Sequence, residues 1–64
     1  MNADTELILK LLSEGLTTKE ISAETKISIP AIKWKTRQLR LKIGAKNNFQ
    51  LGQYYQKIVS KLSN

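Results

Sequence analysis

Apolar residues recur along this chain at the spacing of an α-helix rather than that of a strand. A first helix is predicted over residues 4–14, and Gly15 is suited to end it as the residue after the helix. Its apolar face consists of Leu7, Ile8, Leu11 and Leu12. No segment alternates apolar and polar residues as a half-buried strand does. The pattern therefore predicts an all-α protein with a small core.

A second helix is predicted over residues 18–25. Thr17 and Glu20 have the spacing of a capping box, in which each side chain bonds to the other residue's backbone N–H. Leu16 and Ile21 occupy the two positions of a hydrophobic staple, which fixes how the chain enters the helix. The start of this helix is the best-marked boundary in the sequence.

The third helix is predicted over residues 29–42, only about three residues after the second. Ser28 can cap it, Pro30 lies in the first turn where its missing N–H is not needed, and Gly44 can end it. Its core stripe consists of Ile32, Thr36, Leu39 and Ile43. The short connection has the length found in a helix-turn-helix, whose second helix enters the major groove of DNA.

A fourth helix is predicted over residues 48–61, with Asn47 or Asn48 as its cap. Its core face consists of Leu51, Tyr55, Ile58 and Leu62. A second, uncharged stripe lies beside it and consists of Phe49, Gly52, Gln56 and Val59. Because Gly is a poor helix former, Gly52 predicts a close approach of another backbone. We expect the second stripe to be a dimer interface.

Charge is divided unevenly along the chain. Residues 1–24 carry all five acidic residues and two of the eleven basic residues, for a net charge of −3, whereas residues 25–64 carry nine basic residues and no acid, for +9. Clustered cations are favoured by a polyanion, since they release counterions from its phosphates. A merely solvated basic face is the alternative interpretation.

The composition disfavours most other classes. With neither Cys nor His in 64 residues, the usual zinc ligands and disulfides are missing, and no cofactor is predicted. Enzymatic activity has little support, because there is no Gly-rich phosphate loop and the acidic residues are scattered. The N-terminus is acidic and the longest apolar run is three residues, so neither a signal peptide nor a membrane span is predicted and a cytoplasmic location is expected.

The outward face of the third helix is rich in cations and free of acids. It contains Pro30, Lys33, Trp34, Arg37 and Leu41, and it is flanked by Lys35, Arg40 and Lys42. A lone Trp is often part of the core, but the helical angle of Trp34 differs from that of the core stripe, which favours a surface position. Tyr54 and Tyr55 are interpreted as packing residues.

Several of these segments resemble the LuxR/GerE type of helix-turn-helix domain. The resemblance rests on Leu-Leu-Ser-Glu-Gly-Leu-Thr-Thr-Lys-Glu-Ile-Ser from Leu11, on Ile27-Ser28 and Ile32-Lys33, and on Lys-Ile-Gly-Ala-Lys-Asn from Lys42. It implies a DNA-binding transcription regulator, generally dimeric, with the third helix in the major groove and the fourth at the dimer contact.

The resemblance also implies roles for particular residues. Lys33, Trp34 and Arg37 occupy positions that contact bases, whereas Thr18, Lys19 and Asn48 open helices where phosphate contacts are usual. With the neighbouring basic and capping residues, the predicted phosphate contacts are Thr18, Lys19, Ser28, Lys35, Arg40, Lys42, Lys46 and Asn48. The sequence departs from the family where His, Arg and Thr are common, at Lys35, Asn48 and Ala31 respectively.

The sequence thus predicts one domain over residues 1–64 that acts as a sequence-specific DNA-binding regulator. The family's sensory domain has no counterpart here, so the chain is expected to be either a stand-alone member of the GerE kind, which the initial Met favours, or a fragment of a longer protein. The predicted partners are double-stranded DNA and a second copy of the chain, and the transcription machinery or another regulator is a further candidate. An alternative is a protein-interaction adaptor or anti-regulator anchored by Trp34, Leu41 and Phe49. A membrane-surface binder is disfavoured, because the core needs the narrow apolar faces.

Overall fold

A computed structural model describes residues 3–62, and these residues form four α-helices joined by short connections. The helices are α1 (Ala3–Ser13), α2 (Thr18–Thr25), α3 (Ile29–Ile43) and α4 (Asn48–Leu62). No strand occurs in this range. The predicted all-α, four-helix architecture is confirmed, with helix ends displaced by at most one residue. The two residues at each end of the predicted 1–64 domain lie outside the described residues.

Local hydrogen bonds explain why the helices begin where they do. Before α2, the Thr17 hydroxyl accepts from the Glu20 backbone N–H (3.2 Å) and the Glu20 carboxylate accepts from the Thr17 N–H (2.9 Å), which confirms the capping box. The Ser28 hydroxyl caps α3 by accepting from the Ala31 N–H (3.3 Å). Gly44 ends α3 with a φ of 77°, a conformation that glycine adopts without strain.

The turn between α2 and α3 is closed by hydroxyl groups. Lys26 ends α2 in the left-handed region with a φ of 64°, which is uncommon for a residue other than glycine. The Ser22 hydroxyl donates to the Ile27 carbonyl (2.6 Å), and the Ile27 N–H donates to the Thr25 hydroxyl (3.2 Å). These bonds fix the path of the chain into α3, so the two helices have a defined relative direction.

The core joins one isoleucine from each of the first three helices. Ile8, Ile21 and Ile32 are fully buried and pack together. Partly buried neighbours complete this cluster, namely Leu11, Leu12, Leu16 and Ile27. Thr36 is buried beside them, and its hydroxyl donates to the Lys33 carbonyl (3.1 Å). Among the described residues, no buried side-chain polar atom lacks a hydrogen-bond partner.

Two predicted core assignments are wrong. Leu7 is exposed while Leu9 is buried, because α1 is covered by both α2 and α4 and so buries a wider face than one stripe. Leu62 is 82% exposed. The 15 residues of α4 form a helix about 22 Å long, whereas the 11 of α1, its most extensive partner, reach only about 16 Å. The last turn of α4 therefore has little to pack against.

Candidate nucleic-acid interface

The interface is built on α3, which turns one side to the core and the other to solvent. Ile32 and Thr36 are buried and hold the helix in place. On the opposite side, Trp34 is 62% exposed and Leu41 is 70% exposed, so the surface position predicted for Trp34 is confirmed. Pro30 is also exposed in the first turn of the helix. These three residues, Pro30, Trp34 and Leu41, form what we call the outer ridge.

On one side of the outer ridge, three helices meet around a surface hollow, which we call the basic hollow. The lining residues are Thr18, Lys33, Thr36, Arg37, Arg40 and Asn48. Thr18 is the first residue of α2 and Asn48 is the first residue of α4, so two helix N-termini border the hollow. Helix N-termini carry partial positive charge and free N–H groups, which favour anions. The fold thus brings together five of the residues predicted to contact DNA.

A side-chain hydrogen bond joins two residues of the basic hollow. The Arg40 guanidinium donates to the Asn48 side-chain oxygen, and both residues are half-buried. The bond connects the last turns of α3 to the start of α4 and restricts where the guanidinium can point. A guanidinium has five N–H donors, so Arg40 keeps most of its donors for another acceptor such as a phosphate. The sequence contained no signal for this pair, since eight residues and a turn separate the two.

On the other side of the outer ridge lies a second hollow, between α3 and the first turn of α1. Its lining residues are Thr5, Trp34, Lys35, Gln38, Leu39, Leu41 and Lys42. Lys35 and Lys42 were predicted to contact phosphates, and they lie on the opposite flank from Arg40. Gln38 is exposed here and was not singled out from the sequence, although its amide can read a base edge. Cations therefore flank the ridge on both sides.

The remaining predicted phosphate contacts lie outside the two hollows. Lys19 and Lys46 are exposed, and the Lys46 backbone N–H donates to the Gln50 side chain (2.8 Å). Ser28 is exposed, but its hydroxyl already caps α3. The fold therefore does not bring these three positions into either hollow.

None of the acidic residues belongs to α3 or α4. Among residues 3–62 they occur only in α1, in α2 and just after α1. The Thr17 N–H and then the Thr17 hydroxyl, both hydrogen-bonded to Glu20, lower the pKa of the Glu20 carboxyl below its ordinary value of 4.5. No carboxylate lines either hollow, so the charged side chains of the two linings are all basic.

One member of the predicted dimer stripe, Gly52, does not lie on the surface of α4. Phe49 is 74% exposed, and Gln56 and Val59 are exposed as well. Gly52, however, is buried against the backbone of α1, so the close approach predicted from its small size occurs within one chain and not between two. The exposed, uncharged stripe at helical spacing is instead Phe49, Gln53, Gln56 and Ser60.

The helices α2 and α3 with the turn 26–28 make this a helix-turn-helix domain. The chain belongs to the family described as bacterial regulatory proteins, luxR family, which matches residues 5–55. This family consists of DNA-binding transcription regulators. The match includes all of α2 and α3 and most of the other two helices. Neither the comparison with curated proteins nor that with solved structures found a match. None of the helices within residues 3–62 has the length and apolar character to cross a bilayer.

Proposed function

We propose that this chain is a sequence-specific transcription regulator that inserts α3 into the major groove of DNA. The observation that carries the proposal is the basic hollow, where Thr18, Lys33, Arg37, Arg40 and Asn48 converge from three helices. An α-helix is about 10–12 Å across, and the major groove is about 12 Å wide. The cations on both sides of the outer ridge then face the two phosphate strands that border the groove.

In this arrangement, base contacts and phosphate contacts come from different parts of the site. Lys33 and Trp34 lie in the first half of α3, and Arg37 lies just past its midpoint. Helix-turn-helix proteins reach base edges from the N-terminal part of this helix. Lys33 and Arg37 can each donate to both guanine O6 and N7. The N-termini of α2 and α4, at Thr18 and Asn48, hold phosphates and fix the register of α3 on the duplex.

We further propose that two copies of the chain pair through the uncharged stripe of α4, with Phe49 at one end and Gln56 near its middle. A two-fold contact is isologous, since each copy presents the same surface to the other. It would direct two α3 helices to half-sites about one turn of DNA apart. The interface is small, so pairing is expected to be completed on DNA. Such a regulator acts where the chromosome lies, in the bacterial cytoplasm.

The decisive experiment is selection of duplexes from a random pool with the purified 64-residue chain, followed by binding measurements over a range of salt concentrations. We expect one preferred sequence, and a slope of log affinity against log salt of about −5 for five or six phosphate contacts. Weak binding without sequence preference would instead favour the protein-interaction adaptor. In that case the outer ridge would serve as a hot spot for another protein.

A further inference from the structure

We infer that Trp34 reads thymine, by packing its indole against the C5-methyl group of that base in the major groove. The inference rests on the proposed function and specifies what the outer ridge recognises. It concerns the part of α3 that cationic contacts do not explain, because all three residues of the outer ridge are apolar and exposed.

The geometry of α3 directs the Trp34 side chain away from the core. Trp34 lies opposite the buried Ile32 and Thr36, and 62% of its surface is exposed. No other helix covers it, although Thr5 of α1 borders the hollow on one side. A helix placed in the groove along this ridge therefore presents an indole to the base edges, with cations held to either side.

Only one group on the floor of the major groove suits an apolar side chain. The edges of guanine, cytosine and adenine offer hydrogen-bond donors and acceptors, whereas thymine adds a methyl group. The indole has a single N–H donor and otherwise apolar surface, so its contact with the methyl group removes apolar area of both from water. Facing a guanine edge instead, it would leave one of the two acceptors without a partner.

Gln38, a polar residue close to Trp34, also suits an adenine–thymine base pair. Gln38 lies one turn after Trp34, is exposed, and lines the same hollow. A side-chain amide can donate to adenine N7 and accept from adenine N6 at once, and adenine is the partner of thymine. Lys33 and Arg37, on the other flank, suit guanine. The two flanks of α3 thus differ in chemistry, with guanine readers on one and an adenine reader on the other.

The distribution of charge on this surface favours DNA over a protein as its binding partner. The outer ridge has Lys33, Arg37 and Arg40 on one flank and Lys35 and Lys42 on the other, and no carboxylate lines either hollow. A duplex groove has an uncharged floor between two rows of phosphates, which matches an apolar ridge between two rows of cations. We therefore commit to duplex DNA as the occupant.

The test removes the methyl group alone. Each thymine of the selected site is replaced in turn by uracil, which keeps the hydrogen-bonding edge, and affinity is measured for the full chain. We expect about a fourfold loss at one thymine, the size of one buried methyl group. In Trp34→Ala, binding should be weaker overall but equally tight for thymine and uracil at that position. Leu41→Ala, which trims an equally exposed residue at the far end of the same ridge, should keep the discrimination.

The outcomes separate the inference from the proposed function. If a preferred sequence is selected but no uracil substitution weakens binding, the thymine contact is overturned and the proposed function stands. A uracil effect that persists in Trp34→Ala, or that Leu41→Ala also abolishes, would likewise overturn the assignment to Trp34. If no sequence is preferred, the proposed function fails first and the inference fails with it.

Discussion

Gly52 of α4 lies directly against the backbone of Leu12 in α1. A Cβ atom placed on Gly52 would be 3.2 Å from the Leu12 carbonyl oxygen and 3.3 Å from the Ser13 Cα. Neither atom is at the end of a flexible side chain, so the two helices would have to separate to make room. The contact sets how closely α1 and α4 pack, and α1 in turn supplies Ile8 to the core beneath α3.

We therefore expect Gly52→Ala to destabilise the protein. Alanine improves helix propensity by about 1 kcal/mol, but overpacking against a neighbouring backbone costs about 1–3 kcal/mol. The net loss in free energy of unfolding should be about 1 kcal/mol, measured by urea denaturation. Gln53→Ala is the control, since Gln53 is the next residue and is exposed. A more stable Gly52→Ala would show that the helices can move apart at no cost.

The Arg40–Asn48 bond predicts two different effects on DNA binding. Asn48→Ala removes no charge, so the salt dependence of binding should be unchanged while affinity falls by roughly 0.5–1.5 kcal/mol, the usual value of one hydrogen bond. Arg40→Ala removes a cation that faces phosphate, and the salt slope should become less steep by about 0.9. Fluorescence anisotropy over a salt series measures both. An unchanged slope in Arg40→Ala would remove Arg40 from the phosphate contacts.

Base contacts and phosphate contacts can be told apart at two exposed cations. Arg37→Ala should cost about 1–3 kcal/mol on the preferred sequence and relax the preference at one base position. Lys19→Ala, at the start of α2, should weaken preferred and random duplexes alike. Affinities for both duplexes, measured side by side, decide the matter. Equal losses on the two duplexes for Arg37→Ala would make Arg37 a phosphate contact.

The capping box predicts how stability depends on acidity. Because hydrogen bonds from Thr17 lower the pKa of Glu20 in the folded chain, the carboxylate stabilises the fold above its ordinary pKa of 4.5. This contribution is lost as the pH falls through the lower folded value. Glu20→Gln keeps a side chain that can complete the capping box but that does not titrate. As the pH is lowered from about 5 to about 3, the urea concentration at the midpoint of unfolding should therefore fall less steeply for this variant than for the parent chain. Identical pH profiles would show that Glu20 contributes nothing through its charge.

The dimer proposal is tested at the middle of the uncharged stripe of α4. Gln56→Glu would bring two carboxylates together across a two-fold axis. We expect cooperative binding to a duplex with two half-sites to be lost, while affinity for a single half-site is retained. Gln56→Ala, which adds no charge, is the control and should keep cooperativity. Unchanged cooperativity in Gln56→Glu would exclude this stripe as the interface, leaving a monomer or a dimer formed elsewhere.

The limits of the four helices could be predicted from the sequence because local interactions decide them. Thr17 and Glu20 are three residues apart, and so are Ser28 and Ala31, so the caps form from neighbours along the chain. Gly44 ends α3 because glycine tolerates a positive φ. The division of charge, and the exposure of Trp34 opposite the core stripe, likewise follow from spacing alone.

The tertiary structure decided those burial patterns and contacts that involve residues far apart in the chain. Leu9 is buried because both α2 and α4 cover α1, and Leu62 is exposed because α4 extends beyond α1. The apolar period of a single helix encodes neither fact. The sequence predicts that Gly52 meets a second copy of the chain, whereas in the fold the backbone of α1 covers it. The pairing of Arg40 with Asn48 required the turn that brings α4 back to α3. Helical period predicts which residues share a face, but only the packed fold determines what that face meets.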